Sequence, residues 1–140
     1  RLGFVVGNAE IVKALGKVKS NIDSGVFNAI QMAGIEAIKR IDKITADSNR
    51  LYQKRRDILV ESLNKLGWEI EKPKATFYVW APVLKRHTSA SLAAELLEKA
   101  DVVATPGNGF GQSGEGYIRM ALTVDESRLK EAAARIAKII

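Results

Sequence analysis

The chain has 140 residues, with 22 lysines and arginines against 16 acidic residues, a formal charge of +6 and no cysteine. That length supports one compact domain or part of a larger fold, and a hydrophobic content of 46% argues against disorder. The lack of cysteine removes disulfides, thiol chemistry and thiolate-bound metals, and the single histidine, His87, is too little for a histidine cage or a serine-type triad.

In chain order, Leu2-Gly3-Phe4-Val5-Val6-Gly7 is a short apolar run bounded by glycine and reads as a buried strand, although no neighbouring segment offers it a partner. Asn8 is placed to cap a helix whose apolar residues Ile11, Leu15 and Val18 recur at helical spacing. A polar turn over 20–25 follows. Val26, Ile30, Ala33, Ala37 and Ile41 then continue a helical stripe, in which Gly34 permits close packing. A second long helix is predicted from about Asp47 to Leu66, stopped by Gly67, with a bend or interruption at 43–46.

The remainder reads as a small α/β unit. Trp68 to Glu71 alternates like an edge strand closed by Pro73, and Thr76 to Trp80 is rich in strand formers. Leu92, Ala93, Leu96, Leu97 and Ala100 mark a short helix, and Val102-Val103-Ala104 a brief strand. A glycine-rich loop from Pro106 to Gly116 leads into the last strand, Tyr117 to Leu122. Thr123-Val124-Asp125-Glu126 has the form of a capping box before a final helix carrying Leu129, Ala133 and Ile136.

Arg119 is the most informative residue. Strand alternation sets its side chain on the face opposite Ile118 and Met120, where a guanidinium needs a carboxylate, a phosphate or water. Arginine can grip a carboxylate with two parallel hydrogen bonds, which lysine cannot. The loop before it fits neither a P-loop nor a dinucleotide fingerprint, and reads either as a surface turn or as backbone approaching a ligand. Phe77, Tyr78 and Trp80 alternate along one strand and are read as packing residues, and His87 as a surface side chain. The basic residues Lys13, Lys17, Lys39, Lys54 and Arg56 are dispersed over polar helix faces, without the interleaved aromatics of a base-stacking surface. Nucleic acid is therefore not an expected partner. No run approaches the ~20 apolar residues of a membrane helix, and no signal peptide opens the chain, so a cytoplasmic setting is expected.

Four stretches carry a resemblance over essentially the whole chain: Arg1 to Asn8, Lys74 to Trp80, Val102 to Gly111 and Glu115 to Thr123. Together they resemble the C-terminal part of the fold-type I pyridoxal-phosphate aminotransferases (aspartate aminotransferase superfamily, class I/II), and in particular the LL-diaminopimelate aminotransferase branch. The resemblance implies an α/β fold: a small α+β domain, connecting helices and one strand of the large domain. Residues 1–46 would be the large-domain remnant with the start of the helical arm, and 47–140 the small domain. In that family a Ser-Lys motif precedes, by eight residues from the lysine, an arginine that holds the cofactor phosphate. Arg1 matches this arginine, and the lysine is not in the chain. Arg119 would grip the substrate α-carboxylate, and Asn21 would reach into the neighbouring subunit's site. The implied reaction passes an amino group between glutamate and a keto acid through pyridoxal 5'-phosphate in a homodimer, and the isolated 140 residues are expected to be inactive. A sibling aminotransferase for aspartate, alanine or aromatic amino acids stays open, as does a non-catalytic carboxylate-binding or interaction module.

Overall fold

The computed structural model describes residues 2–140. Two compact units divide the chain, Arg1–Asp47 and Ser48–Ile140. In the first, Asn8 caps α1 (Ala9–Ser20) as its sequence position predicts, Oδ1 accepting from the backbone of Glu10 at 3.0 Å and Ile11 at 3.3 Å. The turn closes on Asp23, whose carboxylate accepts from the amide of Gly25. Helix α2 (Asn28–Lys39) follows, and a Cβ on its Gly34 would overlap the Leu2 side chain. Neither α1 nor α2 buries a residue, so Ile11, Val18, Phe27, Met32 and Ile38 are all exposed.

The expected strand at residues 2–7 is not formed, and Phe4 and Val6 are about four-fifths exposed, at 82% and 80%. A strand needs a hydrogen-bonded neighbour, and none is present beside it among the described residues. The helical break also moves. It falls at Arg40 (φ −118°, ψ 20°) rather than at 43–46, and α3 runs unbroken over Ile41–Asn64.

In the second unit, α3 ends in a Schellman arrangement. The amide of Trp68 donates to Leu63 O at 3.2 Å and that of Gly67 to Asn64 O at 3.0 Å, with Gly67 at φ +88°. Trp68 and Leu63 then meet in the core, the apolar contact that accompanies this cap. Residues 68–71 keep the expected burial alternation, with Trp68 and Ile70 in and Glu69 and Glu71 out, yet form no strand. Their backbone partner is a side chain: Asn64 accepts from the amide of Ile70 at 2.8 Å and donates to its carbonyl at 3.0 Å.

Three antiparallel strands make the sheet in the order β1 (Tyr78–Pro82), β3 (Tyr117–Ala121), β2 (Thr105–Pro106). Strand β2 starts three residues after the expected Val102, and Val103 is 81% exposed. One sheet face, with Val79, Ala81, Ile118 and Met120, joins a single core with Leu59, Val60 and Leu63 of α3, Leu92 and Leu96 of α4 (Ser89–Ala100), and Leu129, Ala133 and Ile136 of α5 (Glu126–Ile136). All three helices thus contribute to the covering of that face and the other is left to polar and aromatic residues. The N-cap of α5 is Asp125, with no side-chain cap bond, so the expected Thr123 capping box is not made. Arg55 ties α3 to the end of β3 instead, donating from Nη1 to Leu122 O at 3.1 Å, with Nη2 3.5 Å from Asp125.

Candidate functional site

The sheet face away from the core carries Tyr78 and Trp80 of β1 and Tyr117 and Arg119 of β3. Register fixes the arrangement: Arg119 is on the central strand, opposite Trp80 on one side and Thr105 on the other. Its guanidinium lies 4.2 Å from the Tyr78 ring centroid and 4.4 Å from that of Phe110, which is contributed by the glycine-rich loop. Trp80 completes the aromatic wall, edge-on to Phe110 at 5.6 Å and stacked on Tyr117 at 5.7 Å.

The electrostatics of this sandwich follow from shape. A guanidinium carbon within 4.5 Å of two ring centroids, at 4.2 and 4.4 Å, gains cation–π attraction, of order 0.5–1 kcal/mol per exposed contact. Its N–H donors lie in the plane of the group and stay available at the edge. Arg55, Arg56, Arg128 and Arg135 each pair with a carboxylate, whereas Arg119 pairs with none among the described residues. A planar donor group with no ion-pair partner among the described residues can receive a carboxylate from outside.

The loop that supplies Phe110 is closed on itself. Two short 3-10 turns, Gly107–Phe110 and Gln112–Gly114, bring Gly107 and Gly114 into backbone contact. A Cβ on Gly107 would overlap the carbonyl of Gly114, and a Cβ on Gly114 that of Gly107. Since backbone cannot swing aside as a side chain can, Gly107→Ala is expected to cost about 2 kcal/mol of stability. Denaturant unfolding of the variant against the parent measures it.

Glu115 fastens the loop to the start of α4. Its carboxylate accepts from Ser89 N and Ser89 Oγ, each at 2.7 Å, and from Gly116 N at 3.0 Å. These donors, the Ser89 amide first, hold the carboxyl below the usual glutamate range. A depressed folded-state value means that Glu115 stabilises the fold above the unfolded-state value and that this contribution disappears as pH falls through the folded value. The stability difference between parent and Glu115→Gln should therefore be level at neutral pH and shrink on acidification below roughly pH 4. Denaturation midpoints taken across that range are the check.

The three residues singled out in the sequence fall differently. Arg119 is on the site face. Asn21 ends α1 in the other unit, its Nδ2 donating to Lys17 O at 2.7 Å as a helix cap. Arg1 lies outside the described residues. Sequence reading missed Phe110 and Tyr78 as the rings that flank Arg119, and Ser89 and Glu115 as the loop's fastening. The aromatic content of the strand and the lone acid before Gly116 were the available signals.

A small antiparallel sheet backed by helices on one face, with a ring-flanked arginine on the other, defines a mixed α/β fold. Residues 1–136 match the family model for aminotransferase class I and II, and the chain belongs to that family. It is 54% identical over 140 residues to the LL-diaminopimelate aminotransferase of Moorella thermoacetica, covering all of this chain and 36% of that relative. It is 53% identical over 139 residues to the enzyme of the same name from Syntrophobacter fumaroxidans, covering 99% of this chain and 36% of that one. Among solved structures, apo-BacF from Bacillus subtilis superposes with a TM-score of 0.88 at 36% identity, over 96% of this chain and 35% of the other. The chain thus spans about a third of the length of the curated relatives it matches.

Proposed function

We propose that this chain is the C-terminal part of a pyridoxal-phosphate-dependent aminotransferase that moves an amino group between glutamate and a keto acid. The keto acid in this reading is the open form of tetrahydrodipicolinate, the reaction of LL-diaminopimelate aminotransferase in lysine biosynthesis. The observation that carries it is Arg119: a guanidinium with both flanking rings in place and no carboxylate partner among the described residues. The relatives from Moorella thermoacetica, Syntrophobacter fumaroxidans and Halothermothrix orenii, at about half identity along nearly the whole chain, bear that name and favour this substrate over aspartate, alanine or aromatic amino acids.

In this reading residues 47–140 are the small domain, and residues 1–46 are a remnant of the large domain with the start of the connecting arm. The uncovered apolar residues of α1 and α2 suit surfaces that meet the rest of the enzyme and its dimer partner. When bound, pyridoxal phosphate supplies the electron sink for amino transfer. This chain's contribution is binding and orientation: Arg119 takes the α-carboxylate in its donor edge, and Tyr78 and Phe110 keep that edge from turning. Arg1 is assigned to the cofactor phosphate and Asn21 to the partner subunit's site. No helix among the described residues is long and apolar enough to cross a membrane, which suits an enzyme acting on small polar metabolites in the cytoplasm.

The test is an assay of the complete enzyme with 2-oxoglutarate and a panel of amino donors. LL-diaminopimelate is expected to be turned over well ahead of aspartate, alanine and phenylalanine. Preference for one of those three would replace the substrate assignment. Absence of any transamination by the complete protein would overturn the reading, whereas the 140 residues alone are expected to show none, having no lysine in a Ser-Lys context.

A further inference from the structure

Phe110 presses on Arg119 from a loop, and little in the core holds it there. Phe110 is 49% exposed, and among the described residues its aromatic and cation–π neighbours are Trp80 and Arg119. Its position must come from the loop backbone. One hydroxyl reaches both ends of the loop: Ser89 Oγ donates to the side-chain carboxylate of Glu115 at 2.7 Å and accepts from the backbone amide of Asn108 at 3.3 Å. Ser89 is fully buried, at 0% exposure, and is the first residue of α4, so its own amide is one of the orphan donors of that helix; Glu115 satisfies it. The loop between Asn108 and Glu115 therefore hangs from a rigid helix end at two points, with Phe110 between them.

We propose that Ser89 and Glu115 are positioning residues for substrate carboxylate binding: their hydrogen bonds fix the glycine-rich loop so that Phe110 holds the Arg119 guanidinium edge-on to the incoming acid. The inference rests on the reading of Arg119 as the carboxylate grip and adds how that grip is kept in register. Neither residue touches the substrate in this scheme. They act through the Phe110 ring, and that route is what distinguishes the idea from simple structural support. A misplaced ring frees the guanidinium to rotate, and the ordering must then be supplied on binding.

The experiment is a double-mutant cycle in the complete holoenzyme, read as the inhibition constant of glutarate, a dicarboxylate that binds without reacting. Ser89→Ala, Glu115→Ala and Phe110→Ala are each expected to weaken glutarate roughly tenfold, the scale of one charge-assisted hydrogen bond. In the Phe110→Ala background, Ser89→Ala and Glu115→Ala should add little, because the ring they position is gone. Equal losses in both backgrounds would show that the pair acts elsewhere and would overturn the proposal, as would full glutarate affinity in the single variants. Should Ser89→Ala fail to fold, the exposed Glu115 still decides the matter, and Glu115→Gln, which keeps shape and an acceptor, should recover part of the affinity. Arg119→Ala is the separate control: if it leaves glutarate binding intact, the grip itself is misassigned, whereas a loss there with no effect at Ser89 or Glu115 sinks only the positioning role.

Discussion

Replacing Arg119 by alanine in the complete enzyme is expected to raise KM for glutamate roughly 100-fold, about 3 kcal/mol, with a smaller change in kcat. The estimate is toward the lower part of the range for removing one member of a charge pair, because Arg119 is only partly buried and water competes for its donors. The informative comparison is Arg119→Lys. Lysine keeps the charge but has neither the planar fork nor a flat surface to lie between Tyr78 and Phe110. If charge alone does the binding, lysine should restore most of the affinity. If the geometry matters as the ring sandwich implies, lysine should recover a minor part of it. Steady-state kinetics with glutamate as the varied substrate separate the two, and an Arg119→Lys enzyme equal to the parent would remove the bidentate argument.

How much of this was legible beforehand depended on the range of the interaction involved. The cap at Asn8, the stop at Gly67 and the outward face of Arg119 follow from residues within a turn or two of each other, and each is found where local rules place it. Strands failed where their identity depended on a distant partner. Residues 2–7 have strand composition and no strand to pair with among the described residues, and 68–71 satisfy Ile70 through Asn64. Strand β2 forms at Thr105–Pro106 because β3 is beside that stretch, whereas Val102 and Val103 are richer in strand formers. The site shows the same division. Arg119 announces itself as an ion on a strand, but the Ser89–Glu115 fastening spans 26 positions and no spacing rule points to it. Tyr78 and Trp80 were visible as aromatics; their place on the sheet face beside Arg119 depends on β1 pairing with β3, which only the fold supplies.

The site face stands on a core that hinges on one side chain. Trp68 is 2% exposed, packs within the apolar cluster beneath the sheet, and donates from Nε1 to Pro82 O at 2.8 Å. It therefore joins the C-terminal cap of α3 to the end of β1, the strand that carries Tyr78 and Trp80. Trp68→Ala is expected to cost 3–5 kcal/mol, about the loss for emptying a large aromatic from a closed core. Trp68→Phe keeps most of the volume and leaves the Pro82 carbonyl without its donor, for which about 1–3 kcal/mol is expected. Denaturant unfolding followed by far-ultraviolet circular dichroism avoids confusing the loss of one tryptophan signal with loss of structure, since the chain has only Trp68 and Trp80. If the phenylalanine variant proves as unstable as the alanine one, the hydrogen bond to Pro82 outweighs the packing. β1 is then anchored chiefly through its end, and the Tyr78 side of the Arg119 sandwich should loosen with it. If the two variants separate by ~2 kcal/mol, packing dominates, and the aromatic face inherits its rigidity from the core below.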